Sequence, residues 1–96
     1  MVAEKRKVID IEEHAFLRAE ERGTQYGLNY IETQERIFRT VRYGKPAKRK
    51  HLSRKGITYH HYFEDNLSFY VMCWETEFSD YTKVIIKTII IEEGRE

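Results

Sequence analysis

The sequence has a single cysteine, Cys73, so no disulfide can form within the chain. Its stability must come from packing, as expected of a protein from a reducing compartment. Asn and Gln number only two each beside abundant Glu, Lys, Arg and Ile, a bias shared with thermophile proteins. No run approaches the roughly 18 apolar residues of a membrane-spanning helix. The longest, 84–91, is broken by Lys87 and Thr88. The opening MVAEKRKVID lacks the apolar middle of a secretory signal. There is no repeat, no low-complexity segment, no glycine-rich phosphate loop, no nucleophile elbow and no His/Cys set at metal-ligand spacing. These absences predict a cytoplasmic protein that uses no cofactor, no metal and no membrane.

What is present is core material and unevenly placed charge. Ninety-six residues, 41% of them hydrophobic, suit one domain spanning 1–96. The net charge of +1 conceals a segment, 36–55, with nine Lys/Arg and no acid. These are Arg36, Arg39, Arg42, Lys45, Lys48, Arg49, Lys50, Arg54 and Lys55, and the flanking stretches 1–35 and 64–96 are acidic. So dense a block of one sign repels itself unless solvent, salt or an anionic partner offsets it. A polyanion such as RNA, or an acidic protein, meets that requirement.

The hydrophobic period changes along the chain. Residues 7–11 alternate and are β-branched, reading as a first strand. Residues 12–23 carry acids at the start, helix formers throughout and Gly23 as a stop, predicting a helix. Asn29 is an N-cap for a second helix to Tyr43, with Ile31, Phe38 and Val41 as its apolar stripe and Ile37 beside it. Gly44 and Pro46 end it. Beyond, the spacing becomes two. The pattern predicts a basic edge strand over 48–53, a tight turn at 54–56, strands over 57–64 and 67–74, a polar turn over 75–81, and an apolar central strand over 83–91. The predicted order is β-α-α-β-β-β-β. It implies an α+β fold, two N-terminal helices packed on an antiparallel four- to five-stranded sheet.

The stretch IDIEEHAFLRAEERG contains His14-Ala15, Arg18, Arg22 and Gly23. It resembles the His-Ala-x-x-Arg-x-x-x-Arg-Gly opening of a small family of unknown function grouped with the RelE/ParE-like toxin superfamily. Tyr43-Gly44 and Ile86-Lys87-Thr88-Ile89 resemble that family's helix end and last strand. The resemblance implies a toxin-type fold acting on mRNA, free or ribosome-bound, and restrained by an acidic antitoxin protein. The acidic 75–80 stretch and the short acidic segment after the last strand depart from the family pattern.

His14, Arg18 and Arg22 follow at i, i+4 and i+8 and share one helix face. Cleaving RNA without a metal needs a base for the 2′-OH, an acid for the leaving 5′ oxygen and cations for the charge on phosphorus. Beside two guanidiniums, His14 would be held neutral as a base, and the arginines would grip a phosphate. The alternative is structural: Glu20 and Glu21 pair with the arginines, and His14 caps the helix–sheet junction. His60 and His61 point to opposite faces of one strand. With Ile57, Tyr59 and Phe63 inward, His60 joins Tyr62, Tyr70 and Lys87 on a face expected to be open and suited to stacked RNA. The catalytic candidates are therefore His14, Arg18, Arg22 and His60. The phosphate-binding candidates are Arg39, Arg42, Lys45, Lys48, Arg49, Lys50, Arg54 and Lys55. His51 lies within the basic block. Cys73 and Trp74 read as core or interface residues.

Overall fold

A computed structural model describes residues 5–96. Seven elements follow in order: β1 Arg6–Ile11, α1 Glu13–Gln25, α2 Tyr30–Tyr43, β2 Lys45–Pro46, β3 Ile57–Tyr62, β4 Leu67–Glu77 and β5 Tyr81–Glu93. The protein is an α+β domain with two helices on one face of a five-stranded sheet, in the β-α-α-β-β-β-β order expected. Strand order in space is β1-β5-β4-β3-β2. The sheet is mixed rather than antiparallel throughout, because β1 lies parallel to β5. The two helices carry the chain from β1 at one edge of the sheet to β2 at the other, and β5 lies inside the sheet between β1 and β4. Among the described residues no helix is long and apolar enough to cross a membrane.

Each helix starts for a local reason. Asn29 forms a reciprocal capping box with Glu32, its Oδ1 accepting from the Glu32 N–H at 2.8 Å while Glu32 Oε1 accepts from the Asn29 N–H at 3.1 Å. Helix α1 has no such bond: its N-cap residue, Glu12, turns its carboxylate elsewhere. The buried positions of α1 are Ala15, Ala19 and Gly23, a small-residue face that lets the helix approach its neighbours. A side chain at Gly23 would strike Thr33 of α2, since its Cβ would lie 2.3 Å from Oγ1.

That crossing corrects the stripe expected on α2. The buried residues are Thr33, Ile37, Thr40 and Val41, with Phe38 at the flank, whereas Ile31 is 70% exposed. Two threonines hold core positions, so hydrophobicity alone assigned the wrong phase to the helix. Thr40 Oγ1 donates to the Arg36 carbonyl at 2.8 Å. Thr33 Oγ1 is buried with no partner. An unpaired buried hydroxyl costs about 1–3 kcal/mol, so Thr33→Val is expected to raise stability by about 1 kcal/mol in chemical denaturation. Unchanged or lower stability would contradict that account.

The core lies between helices and sheet. Phe69, Val71 and Cys73 of β4 meet Val84, Ile86, Ile89 and Ile91 of β5 beneath Ile37 and Val41. Cys73 is wholly buried, as its alternation predicted, and burial pushes its thiol up to about 12. Strand β4 runs on through Glu75 to Glu77, so the expected 75–81 turn shrinks to residues 78–80. The reason is pairing: Glu75 accepts from the Tyr59 hydroxyl, and Glu77 lies 3.5 Å from Lys5.

The sheet's second face is not open. Tyr70, Met72, Ser68 and Thr58 are all buried there. Segment 48–53, expected as an edge strand, is irregular and crosses that face as a cover. Pairing with β3 ends at Ala47, whose N–H donates to the Thr58 carbonyl at 2.7 Å. Leu52 then donates from its N–H to Thr58 Oγ1, and Lys50 Nζ reaches over the Tyr70 ring to Glu92 at 2.7 Å.

Candidate functional site

The parallel pairing of β1 with β5 ends at Ile11 and Ile86, and the next residue, Glu12, donates its N–H to the Ile86 carbonyl. One residue farther along β5 the ladder is irregular. Met72 faces Thr88 while Cys73 faces Ile86, so Lys87 is an extra residue with no partner on β4. A bulge of this kind re-aims one side chain and is frequent beside functional sites. Lys87 Nζ bonds the Glu12 carboxylate and lies 4.2 Å from the centre of the Trp74 ring. The other Glu12 oxygen is 3.2 Å from His14 Nε2. Glu12 therefore joins an imidazole and an ammonium, which explains why it does not cap α1.

His14 is 65% exposed at its side chain, and Trp74 is 43% exposed. A small cavity of about 90 Å³ is lined by His14, Arg18, Arg22, Lys87, Thr88 and Ile89. Arg22 donates to the Ile89 carbonyl, on the part of β5 that β1 leaves unpaired. Arg22 thus holds α1 against the strand, while Arg18 stays exposed at the rim. Neither arginine forms an ion pair with Glu20 or Glu21 among the described residues; Arg22 has its structural bond to the Ile89 carbonyl instead. The group that meets His14 is a carboxylate, not a guanidinium. With Nε2 turned to Glu12, Nδ1 remains for proton exchange.

The basic turn at 54–56 reaches this site from the second face. Gly56 packs so closely on β4 that an added Cβ would lie 2.4 Å from the Cys73 carbonyl oxygen and 3.0 Å from Trp74 Cδ1. Gly56 thus sits against Trp74, and Arg54 and Lys55 precede it directly in the chain. The charged side-chain groups of Arg42, Lys45, Lys48, Arg49, Arg54 and Lys55 form no ion pair among the described residues. Arg36 is committed to Asp65 at 2.8 Å, Arg39 to Glu35 at 3.7 Å and Lys50 to Glu92. Arg36 and Arg39 also lie over Phe63, in a separate cleft of about 400 Å³ against β3.

His60 does not join His14. It sits on β3, separated from β5 by β4. Its Nε2 is 2.9 Å from Ser68 Oγ, and its ring centre is 4.7 Å from that of Tyr70. Burial pushes its pKa down, and burial with the charge of Arg39 does the same for His61 on the helix face. His51 is exposed in the covering loop. The expected alternation of His60 outward and His61 inward holds, but the outward face is covered. His14, Arg18, Arg22, Lys87 and Thr88 meet in one place. The sequence pattern marks Glu12 only as a helix-start acid and Trp74 as a core or interface residue. Nothing in the local pattern signals the bulge that connects them.

The chain matches no protein-family model, no curated protein and no solved structure.

Proposed function

We propose that the protein is a RelE/ParE-like, toxin-type endoribonuclease that cleaves RNA by general acid–base chemistry without a metal. The observation that carries this reading is Lys87, re-aimed by a bulge to sit between an exposed indole and the Glu12–His14 pair. A nucleobase stacks on Trp74, with a gain of about 1–3 kcal/mol per base typical of such platforms. The adjoining phosphate then lies between Lys87 and Arg18, which line one cavity with His14. His14 Nδ1 takes the 2′-OH proton, with Glu12 orienting the ring. The 2′ oxygen attacks phosphorus, the bond to the 5′ oxygen breaks, and Lys87 both offsets the developing charge and returns a proton to the leaving oxygen. The products are a 2′,3′-cyclic phosphate and a 5′-hydroxyl. Such a protein would work in the cytoplasm, on free or ribosome-bound mRNA, under restraint by an acidic antitoxin.

The test is cleavage of a labelled RNA, alone and on ribosomes, by pure protein in excess EDTA. Cyclic-phosphate ends are expected, with loss of activity in Lys87→Ala. No cleavage of either substrate would overturn the reading. A second reading, a non-catalytic module docking an acidic protein or the ribosome, is favoured by the six cations of 42–55 that form no ion pair among the described residues and by exposed Leu17, Tyr30 and Ile31 on the helices. It predicts binding without cleavage in the same assay.

A further inference from the structure

Residues 48–50 present three consecutive backbone N–H groups to one carboxylate. Glu96 Oε1 accepts from Lys48 at 2.7 Å, and Glu96 Oε2 accepts from Arg49 at 3.0 Å and Lys50 at 3.2 Å. Successive amides turned to one point form a concavity for an oxyanion. We propose that this nest is a phosphate-binding site, which the protein's own Glu96 side chain occupies until a phosphate displaces it. The site is separate from the pocket of His14 and stands whether or not His14 cleaves RNA.

Four observations support it. First, the nest holds a negative charge firmly. Desolvation raises the Glu96 carboxyl, yet the three amide bonds more than offset this, with help from His60, and bring it down to about 2. Second, two carboxylate oxygens already serve three donors, so a phosphate would bring further oxygens for side chains. Lys45 and Lys48 are beside the site, and their ammonium groups form no ion pair among the described residues. Third, Glu96 belongs to a thin strap. Gly94 takes a positive φ of 92° and turns the chain back, with its N–H on the Asn66 carbonyl at 2.8 Å and its carbonyl accepting from Ser68 Oγ. Fourth, the strap covers groups that suit a nucleotide. The Arg95 guanidinium lies 4.6 Å from the centre of the Tyr62 ring, and His60 lines the same cleft of about 300 Å³. Lifting residues 94–96 would leave an amide nest, a cationic rim and the uncovered face of the Tyr62 ring, whose hydroxyl stays on Asn66, in one groove.

A plug that closes the site most of the time weakens apparent affinity by the fraction of open molecules. Inorganic phosphate is titrated into wild type, Glu96→Ala and Glu96→Gln, following the backbone amide signals of Lys48, Arg49 and Lys50 by NMR. Both variants are expected to bind about ten-fold more tightly than wild type, as for a site open in about a tenth of molecules, with the largest shifts at those three amides. A 5′-phosphorylated uridine dinucleotide then separates the sources. A further gain over inorganic phosphate that Tyr62→Ala removes identifies a nucleic-acid strand as the ligand, and equal affinity identifies free phosphate. Unchanged affinity in both variants, or shifts located elsewhere, overturns the proposal. So does a loop 47–52 that loses its dispersed signals in both variants and does not regain them with phosphate, since Glu96 would then be a brace.

Discussion

Replacing His14 with alanine is expected to lower RNA cleavage by about 10²–10⁴-fold, the usual contribution of a positioned acid–base group. The loss should fall on kcat, because His14 contributes no binding surface comparable to Trp74 or the cations. Stability should hardly change. The side chain is 65% exposed and its ion-pair partner, Glu12, keeps its bond to Lys87, so the removal leaves that carboxylate paired. Glu12→Gln separates positioning from chemistry. The amide keeps the shape, but it weakens the tie to Lys87 and the orientation of the imidazole. A smaller loss with an altered pH–rate profile is expected there. Wild-type cleavage by His14→Ala would remove the imidazole from the mechanism, and collapse of the fold would show that it braces the α1–β5 junction.

The second large effect is expected at Gly56. Its backbone has an ordinary conformation, so the constraint is space alone. A methyl there would lie 2.4 Å from the Cys73 carbonyl oxygen, a backbone atom that cannot swing aside, and 2.7 Å from Met72 Sδ. Overpacking of this kind costs about 1–3 kcal/mol. For a domain of this size that corresponds to a fall in Tm of roughly 4–8 °C per kcal/mol. Relief requires the turn to lift off β4, and the turn carries Arg54 and Lys55. Gly56→Ala should therefore weaken RNA binding more than an equally destabilising change in the core, such as Val71→Ala. The comparison is made by filter binding at fixed salt, with thermal melts of both variants. Equal RNA affinity at equal stability would detach the turn from the binding surface.

Much of the architecture was legible locally. The Asn29 N-cap, the change of period after Pro46 and the alternation of β3 each depend on residues within a few positions of one another. Such signals survive in a linear reading. The phase of α2 did not, because Thr33 and Thr40 are chosen by the close crossing at Gly23 rather than by hydrophobicity. Segment 48–53 alternates little and carries charge on both sides, and it found its bonding partners in Thr58, Glu92 and Glu96 instead of in a strand ladder. The open face expected around His60 was lost for the same reason, since the cover that buries Tyr70 is a loop whose path no local pattern records.

The sequence by itself determined the order of elements, the helix starts, the burial of Cys73 and the concentration of positive charge in 36–55. Each follows from propensity, periodicity or composition, which act over a few residues. Only the tertiary structure decided that β1 runs parallel to β5, that a bulge turns Lys87 toward a glutamate 75 positions away, and that Glu96 closes a nest formed 46–48 residues earlier. Those arrangements depend on strand register and chain path, where the bonding partners are far apart in sequence. For this protein the candidate chemistry resides in them.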